Sequence, residues 1–528
     1  MKSYAILVGL SALLLACTAD PLPTSAQIGP FTEQVPSDDY FGIYYVSAES
    51  GCDATGDGSV QKPWQTLPFA LRQITNAGPE RHYAVQVGEG KYQSETLQMV
   101  SHVDLYGGFA SGTWLRDILA HPTILEGQEG QRILLGADHA TLDGFYITKG
   151  KFRGKGAGIY CDGVSPNIRN NIFRSNRTLA PLHWNPRYLH EVAHDGGAIY
   201  CCNGSAPVIE QNIFGGNETE NGRGAAIAFQ SRCSGRISRN VFIKNITGTN
   251  DPMRSSDGGA ISLFDWSNPL VEDNIILNNQ ALASNDAGGL FVALWSAPVI
   301  RRNIFVGNSC SDDAGALFVG GQEHRYDAPL DALPGKDQFF VTIEDNLFIG
   351  NRNPSMNSGA MRFTMESRGA FRDNIVAHNS GIYFQRCEAA VERNIILDDF
   401  LLVETKAGLA PCVVKNNILW GDLNVEVEAE IKENNVRDKR PGNISQAPLF
   451  KDDWMNIKVI SSSYKPGEAE TNMLITGQKL TKNALVNRIV KAGDRWGVVK
   501  SNNRKDVQVW GDFSGCLEML VLPTYEME

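Results

Sequence analysis

The stretch Pro166-Asn167-Ile168-Arg169-Asn170-Asn171-Ile172-Phe173-Arg174-Ser175-Asn176 decides the fold, because it returns as Pro207-Val208-Ile209-Glu210-Gln211-Asn212-Ile213-Phe214-Gly215-Gly216-Asn217. The same frame fits Asn240, Asn274, Asn303, Asn346, Asn374, Asn394 and Asn417, at successive spacings of 41, 28, 34, 29, 43, 28, 20 and 23 residues. A unit of roughly 20–29 residues with occasional longer loops is a solenoid signature. Three residues before each Asn stand Ile168, Ile209, Ile237, Val271, Ile300, Ile343, Phe371, Val391 and Val414. Two residues after it stand Phe173, Phe214, Phe242, Ile276, Phe305, Phe348, Val376, Ile396 and Leu419. Both columns are wholly apolar. Short apolar strands interrupted by Asn suit two β-strands joined by a sharp bend, and Asn tolerates the left-handed backbone such a bend requires. Stacked on identical bends, the amides can hydrogen-bond along the axis. A second Asn five residues on (176, 217, 245, 279, 308, 351, 379) ends the strand, with Asp399 and Asp422 in its place in the last two coils.

A further strand precedes each Pro, as in Gly196-Gly197-Ala198-Ile199-Tyr200, Gly258-Gly259-Ala260-Ile261-Ser262 and Gly315-Ala316-Leu317-Phe318. Three short strands per coil, all wound one way, predict an all-β solenoid of three parallel sheets around a filled core. With coils about 4.8 Å apart, some 11–13 coils make a rod of roughly 55 Å.

The Asn-Ile-Phe-x-x-Asn phrase and the Gly-Gly-Ala-Ile strands resemble right-handed parallel β-helix repeat proteins of the pectate-lyase-like superfamily. Tyr45-Val46-Ser47, Gly56-Asp57-Gly58-Ser59 and Lys62-Pro63-Trp64-Gln65-Thr66 are similar to the opening segment of those helices. Leu67, Leu71 and Ile74 then have the spacing of a short amphipathic helix, which would cover the open end of the first coil. Early coils are read at Val85–Tyr92, Val103–Phe109, Thr123–Glu126 and Thr141–Thr148. The resemblance spans residues 43–450 and implies the fold; it does not imply an activity, because this fold hosts many.

The flanks differ from the repeat. Lys2, the apolar run Ala5–Ala16 and Cys17 form an export signal over residues 1–17, and Leu14-Leu15-Ala16-Cys17 resembles the lipobox of bacterial lipoproteins. That resemblance implies lipidation of Cys17 and a membrane anchor, and Thr18 after it leans towards the outer membrane. No later stretch is long and apolar enough to span a bilayer. Residues 18–40 are rich in Pro, Ser and Thr and read as a tether, 41–450 as the β-helix, and 451–528 as a small β module or C-terminal cap. The formal charge of −11, without a basic stripe, argues against nucleic acid as a partner.

Five groups of residues could carry chemistry. Asp195, Arg223, Asp257, Asp286, Asp313 and Asn357 occupy equivalent places before the Gly-containing strand and should line one edge of the rod. Like charges at coil spacing repel, and Ca²⁺ bound to Asp195, Asp257, Asp286 and Asp313 would relieve that; Asp-Gly-Gly is equally ordinary turn chemistry. Arg223, Asp257 and Asp286 are the nearest approach to a lyase's base and acids. Eight residues before the ladder Asn stand Arg232, Trp266 and Trp295 in consecutive coils, a flat platform for sugar rings if it is exposed. The alternative is a tryptophan pair covered by a long loop such as 246–256 or 321–340. His190 and His194, four apart, match the zinc-binding pentad His-Glu-x-x-His, although the loop context and Tyr200 at the third-ligand place fit it poorly.

Nine cysteines follow Cys17, an odd number for an exported chain. Cys161 with Cys201 or Cys202, and Cys387 with Cys412, are the disulfide candidates by coil position. Asp312-Asp313 and Asp398-Asp399 stand alone, without the further motifs that galacturonan hydrolases of this fold carry. The combined expectation is a cell-envelope lipoprotein on a β-helix scaffold that binds polysaccharide or serves as a non-catalytic surface protein. A lyase or hydrolase of acidic glycans, and an adhesin or partner-protein binder, are the alternatives.

Overall fold

The computed structural model describes residues 28–523, apart from 94, 184–192, 253–254, 322–334, 336, 356–357, 407, 438 and 449–453. Alternate residues of a strand face opposite sides of its sheet, so a three-residue strand with a central apolar side chain commits that side chain inward. In register across coils the inward positions coincide. Ile168 lies between Leu142 and Ile209, and Phe173 between Ile147 and Phe214, while Ile199 lies between Ile159 and Ile227. The chain is a parallel β-helix with sheets of fourteen, thirteen and twelve strands around one continuous apolar core. Phe173, Phe214 and Phe242 stack along that core with ring centroids 4.7 and 4.9 Å apart. A shorter six-stranded sheet, from Lys151–Phe152 to Ser309–Cys310, was not foreseen.

The asparagine file forms along one axis. Asn212 donates from its backbone N (2.9 Å) and its Nδ2 (3.0 Å) to Oδ1 of Asn240, and its Nδ2 also reaches the Ile168 carbonyl at 2.9 Å. Asn240 treats Asn274 the same way. The second file, from Asn176 to Asn379, repeats this pattern. It passes to Asp398, which accepts from Asn379 at 2.7 Å; the expected Asp399 instead accepts from the Asp422 backbone. The left-handed residue is also not the ladder Asn. It is the one before it: Asn170, Gln211, Arg239, Asp273, Arg302, Asp345, Asp373 and Arg393 all have φ between 53° and 57°. Such a backbone is disfavoured for residues with a Cβ. The buried amide, which satisfies three partners at once, offsets that cost at every bend.

The helix α1 (Leu67–Gln73) starts at Thr66, whose side chain accepts from the Phe69 backbone, and it buries Leu67, Ala70 and Leu71 in the main core. Residues 28–33, expected in a tether, run along the rod. Gly29 N donates to the Arg239 carbonyl at 2.9 Å, Phe31 N to Asn170 Oδ1 at 3.3 Å, and Arg116 Nη1 to the Glu33 carbonyl at 2.6 Å.

The C-terminal module is a closed antiparallel barrel of six strands, Met455–Lys465, Glu470–Thr476, Ile489–Ala492, Arg495–Asn502, Asp506–Trp510 and Glu518–Val521. It has its own core around Ile457, Met473 and Val509. It docks on the side of the rod, where Trp496, Val498, Trp510 and Leu522 pack on Val241, Ile243, Ile275 and Leu277 of the thirteen-stranded sheet. Gly307 and Gly350, at φ +62° and +66°, make room for Trp496; a Cβ there would sit 3.2 and 2.5 Å from the indole.

The fourteen-stranded sheet treats its outward face differently. Along one column Glu272, Arg301, Glu344, Arg372, Glu392 and Lys415 alternate in sign from coil to coil. Arg301 meets Glu272 at 2.8 Å, Arg372 meets Glu344 at 2.6 Å and Lys415 meets Glu392 at 3.2 Å. That face neutralises itself.

Candidate functional site

The outward face of the twelve-stranded sheet is neither self-neutralised nor packed on the barrel. Its outward column runs Tyr160, Tyr200, Ala228, Ser262, Phe291, Phe318, Arg362 and Tyr383 in register. The middle is sealed. Phe291 and Phe318 are fully buried, stack at 5.2 Å and join Phe264, Leu294 and Ala314 in a separate apolar cluster. Chemistry is left to the two ends of the column and to the two edges of the sheet.

At the first end, cations and aromatic rings are layered along the axis. The Arg132 guanidinium lies 4.2 Å from the Phe152 ring centre and 4.4 Å from that of Tyr160. Tyr160 stacks on Tyr200 at 5.6 Å and 17°. Lys155 Nζ then donates to Tyr200 Oη (3.3 Å) and Gln230 Oε1 (2.9 Å), while the Tyr200 hydroxyl donates to the same Gln230 oxygen at 2.7 Å. Arg132, Phe152, Lys155, Tyr160 and Gln230 are half-buried. Arg132 spends its Nε on the Lys155 carbonyl at 2.9 Å, and among the described residues no carboxylate pairs with it. Burial lowers the Arg132 pKa from its ordinary value, and burial raises those of Tyr160 and Tyr200, so both phenols remain donors at neutral pH. A planar cation with a free edge beside aromatic rings is what carboxylate-bearing sugars are recognised by.

At the second end, Arg362 ion-pairs with Asp313, donates to Gln385 Oε1 at 2.6 Å, and lies 5.0 Å from the Tyr383 ring centre. None of these residues except Asp313 stood out in the sequence. The signal was there in Ile159-Tyr160 and Ile199-Tyr200, where an aromatic residue recurs at the outward position.

One edge of the sheet carries the acidic column, and it does line up. Arg223 N donates to Asp195 Oδ1 at 2.8 Å, Asp286 N to Asp257 Oδ1 at 2.9 Å, and Asp313 N to Asp286 Oδ1 at 3.1 Å. Each of these carboxylates takes a backbone N–H of the following coil, the opposite sense to the asparagine files, whose Oδ1 atoms accept from the preceding coil. At Asp195 and Asp313 the neighbouring positive charge is an arginine. Arg223 Nη2 meets Asp195 at 2.7 Å, and Arg362 meets Asp313. Burial opposes ionisation of Asp195, but Arg223 and Lys155 outweigh it and hold its carboxyl below the usual range. Arg223 is only 1 % exposed and lies 3.9 Å from the Phe264 ring centre, so it is a buried ion-pair partner and unsuited to act as a lyase base. The carboxylates of Asp286, Asp312 and Asp313 approach within 4.8 Å of one another. This all-oxygen set suits a hard cation in chemistry, with Arg362 already beside Asp313. Asn357 lies outside the described residues.

The opposite edge carries Arg232, Trp266 and Trp295, each left-handed at φ 57–63°. The exposed platform does not form. Trp295 is 8 % exposed, with its ring edge-on to Phe339 at 5.1 Å, which is the covered arrangement. Trp266 is half-buried with the exposed Arg232 guanidinium 5.7 Å from its ring centre, so one ring and one cation remain accessible. His194 is buried in part; burial lowers its pKa, and its Nδ1 lies against the Leu179 carbonyl. His190 and Cys17 lie outside the described residues.

The described cysteines are all free thiols. Cys161 and Cys201 are in register and wholly buried, and Cys387 Sγ lies 3.8 Å from Cys412 Sγ. Cys202 points the other way, towards Tyr160 and Asp162, and burial pushes its thiol up to about 11.

The family described as right handed beta helix region matches residues 127–326. The matched residues lie within the parallel β-helix, and the fold of the chain is of that kind. No curated protein matches the chain. Among solved structures, it is similar to the complex of XylC with xylose (11 % identity, 83 % of this chain and 90 % of that one, TM-score 0.39). It is also similar to the GH136 lacto-N-biosidase from Eubacterium ramulus (13 %, 75 % and 68 %, TM-score 0.31). A third likeness is to a mutant tailspike protein of E. coli bacteriophage HK620 in complex with pentasaccharide (11 %, 91 % and 94 %, TM-score 0.26).

Proposed function

We propose that this protein is an exported, lipid-anchored β-helix scaffold of the outer membrane that binds acidic polysaccharide without cleaving it. The observation that carries this reading is the Arg132 guanidinium, sandwiched between Phe152 and Tyr160 with no carboxylate partner among the described residues. The sandwich fixes the plane of the fork, so a uronate carboxylate can dock on its outer edge while a sugar ring lies along the aromatic column. Lys155 and Gln230 extend the polar surface by one coil, and Arg232 on Trp266 offers a second contact on the far edge of the sheet. The non-catalytic part is supported by the acidic column, whose carboxylates accept backbone N–H groups or pair with Arg223 and Arg362. In the same reading Cys17 carries the lipid, and helix α1 covers the first coil.

Binding to polygalacturonate, alginate and a neutral glucan, followed by affinity electrophoresis, tests the proposal. Retardation by the uronates alone is expected, and Arg132→Ala should weaken it about tenfold or more, the worth of one bidentate charge-assisted contact. Equal retardation by all three polymers, or none, would remove the reading. An ultraviolet-absorbing unsaturated uronate released during the same incubation would replace binding by lyase chemistry. Metabolic labelling with a fatty acid, lost in Cys17→Ser, tests the anchor.

A further inference from the structure

We propose that Cys387 and Cys412 form a disulfide that staples the last coils of the rod. The two sulfurs lie 3.8 Å apart, and Cys412 Sγ is also 3.4 Å from the Cys387 carbonyl oxygen. The side chains sit in neighbouring coils, since the strands Glu388–Glu392 and Val413–Lys415 pair in register. A bond requires the two sulfurs to close from 3.8 Å to about 2.05 Å.

Three further observations favour this pair over Cys161 and Cys201. First, access differs. Cys161 and Cys201 are enclosed in the core, whereas Cys387 and Cys412, at 7 % and 4 % exposure, line a cleft of about 530 Å³ with Leu402, Glu404, Lys406 and Glu426. Second, the partners differ in their surroundings: burial raises the Cys387 thiol, while the hydrogen bond from Cys387 lowers that of Cys412, so the attack is assigned to Cys412. Third, the staple lies where the rod loses cover. The strand Ile213–Gly215 is fully buried, but Leu423–Val425 and Glu430–Lys432 bury no residue completely. Glu430 N donates to the Cys412 carbonyl at 3.0 Å, so fixing Cys412 fixes the next coil as well.

The oxidant is a low-molecular-weight disulfide. Cys412 thiolate attacks one of its sulfurs and expels a thiolate, giving a mixed disulfide. Cys387 then loses its proton, attacks Cys412 Sγ and expels the second thiolate. The protein gives up two electrons and two thiol protons, and the small disulfide leaves as two thiols. The acidic lining of the cleft, with Glu404, Glu426 and Glu428, favours a cationic reagent such as cystamine.

The test treats the purified full chain with cystamine, alkylates the remaining thiols in denaturant, and maps peptides without reduction. The expected result is a peptide pair joined through Cys387 and Cys412, with Cys161 and Cys201 alkylated. Hydrogen exchange over residues 413–436 should then be slower than in Cys387→Ser treated alike. Cys412→Ser repeats the comparison if the first variant does not fold. Alkylation of both Cys387 and Cys412, or a link between other cysteines, would overturn the assignment. A correct link with exchange unchanged from the variant would overturn the stapling role.

Discussion

The thirteen-stranded and twelve-stranded sheets share the same inward logic and differ in what they show the outside. In the first, the residue after each ladder Asn is Ile172, Ile213, Val241, Ile275, Ile304, Leu347, Ile375, Ile395 or Ile418, and all of them point outward. An aliphatic outward column cannot face water along a whole rod, and the barrel lies against it. In the second, the outward column changes character from aromatic and polar to sealed and back to polar. Cover therefore removes one face from use, self-pairing of charge removes the fourteen-stranded face, and the remaining face holds the Arg132 guanidinium, which no carboxylate pairs with among the described residues. The lesson is that a solenoid's function lies where its outward columns stop being uniform.

The comparison breaks most visibly at Trp496. Trp496→Ala empties the space between Gly307 and Gly350 and is expected to cost about 3–5 kcal/mol of barrel docking. Limited proteolysis within residues 454–523 and dye binding to the bared aliphatic column would report it; an unchanged digestion pattern would mean that the barrel does not depend on this anchor.

A second effect belongs to the end of the asparagine file beside the same sheet. Burial pushes the Asp398 carboxyl up to about 6, against the hydrogen bonds it accepts from Asn379. A pKa raised in the folded state adds stability below the ordinary carboxylate range and loses it as pH climbs through about 6. Asp398→Asn should therefore stabilise the protein at pH about 7.5 by up to roughly 3 kcal/mol and have little effect near pH 4. Equal melting shifts at both pH values would refute the burial argument.

On the exposed face the expected change is in binding and not in folding. Arg132→Ala should leave the melting temperature in place while uronate affinity falls by about 1.4 kcal/mol or more. A matching loss of stability would make Arg132 a structural stack. The smallest effect is expected on the self-neutralised face. Arg301→Ala should cost less than about 1 kcal/mol, because the pair is partly solvated and Arg302 also holds Glu272, at 2.6 Å.

Much of the fold was legible because its signals are local and repeated. The two apolar columns and the Asn file needed only counting. The bend chemistry was misplaced by one residue: Asn looked like the left-handed residue, whereas its amide is what lets Gln211 or Arg239 take that conformation. The acidic column was legible as a column. Its role was not, since the backbone N–H that each carboxylate accepts comes from the next coil. The tryptophans were legible as neighbours, but Phe339, which covers Trp295, arrives from a long insertion. The apolar residue after each ladder Asn, a column not singled out from the sequence, is the one the barrel covers on the thirteen-stranded sheet.

Taken alone, the sequence determined which residues face the core and how coils stack, and it placed each bend to within one residue, because those choices depend on alternation within a few residues and on repetition between coils. Only the tertiary structure decided which outward face stays usable. That outcome depends on partners remote in the chain, as between Asn278 and Trp496, separated by 218 residues, and no local pattern encodes such a meeting.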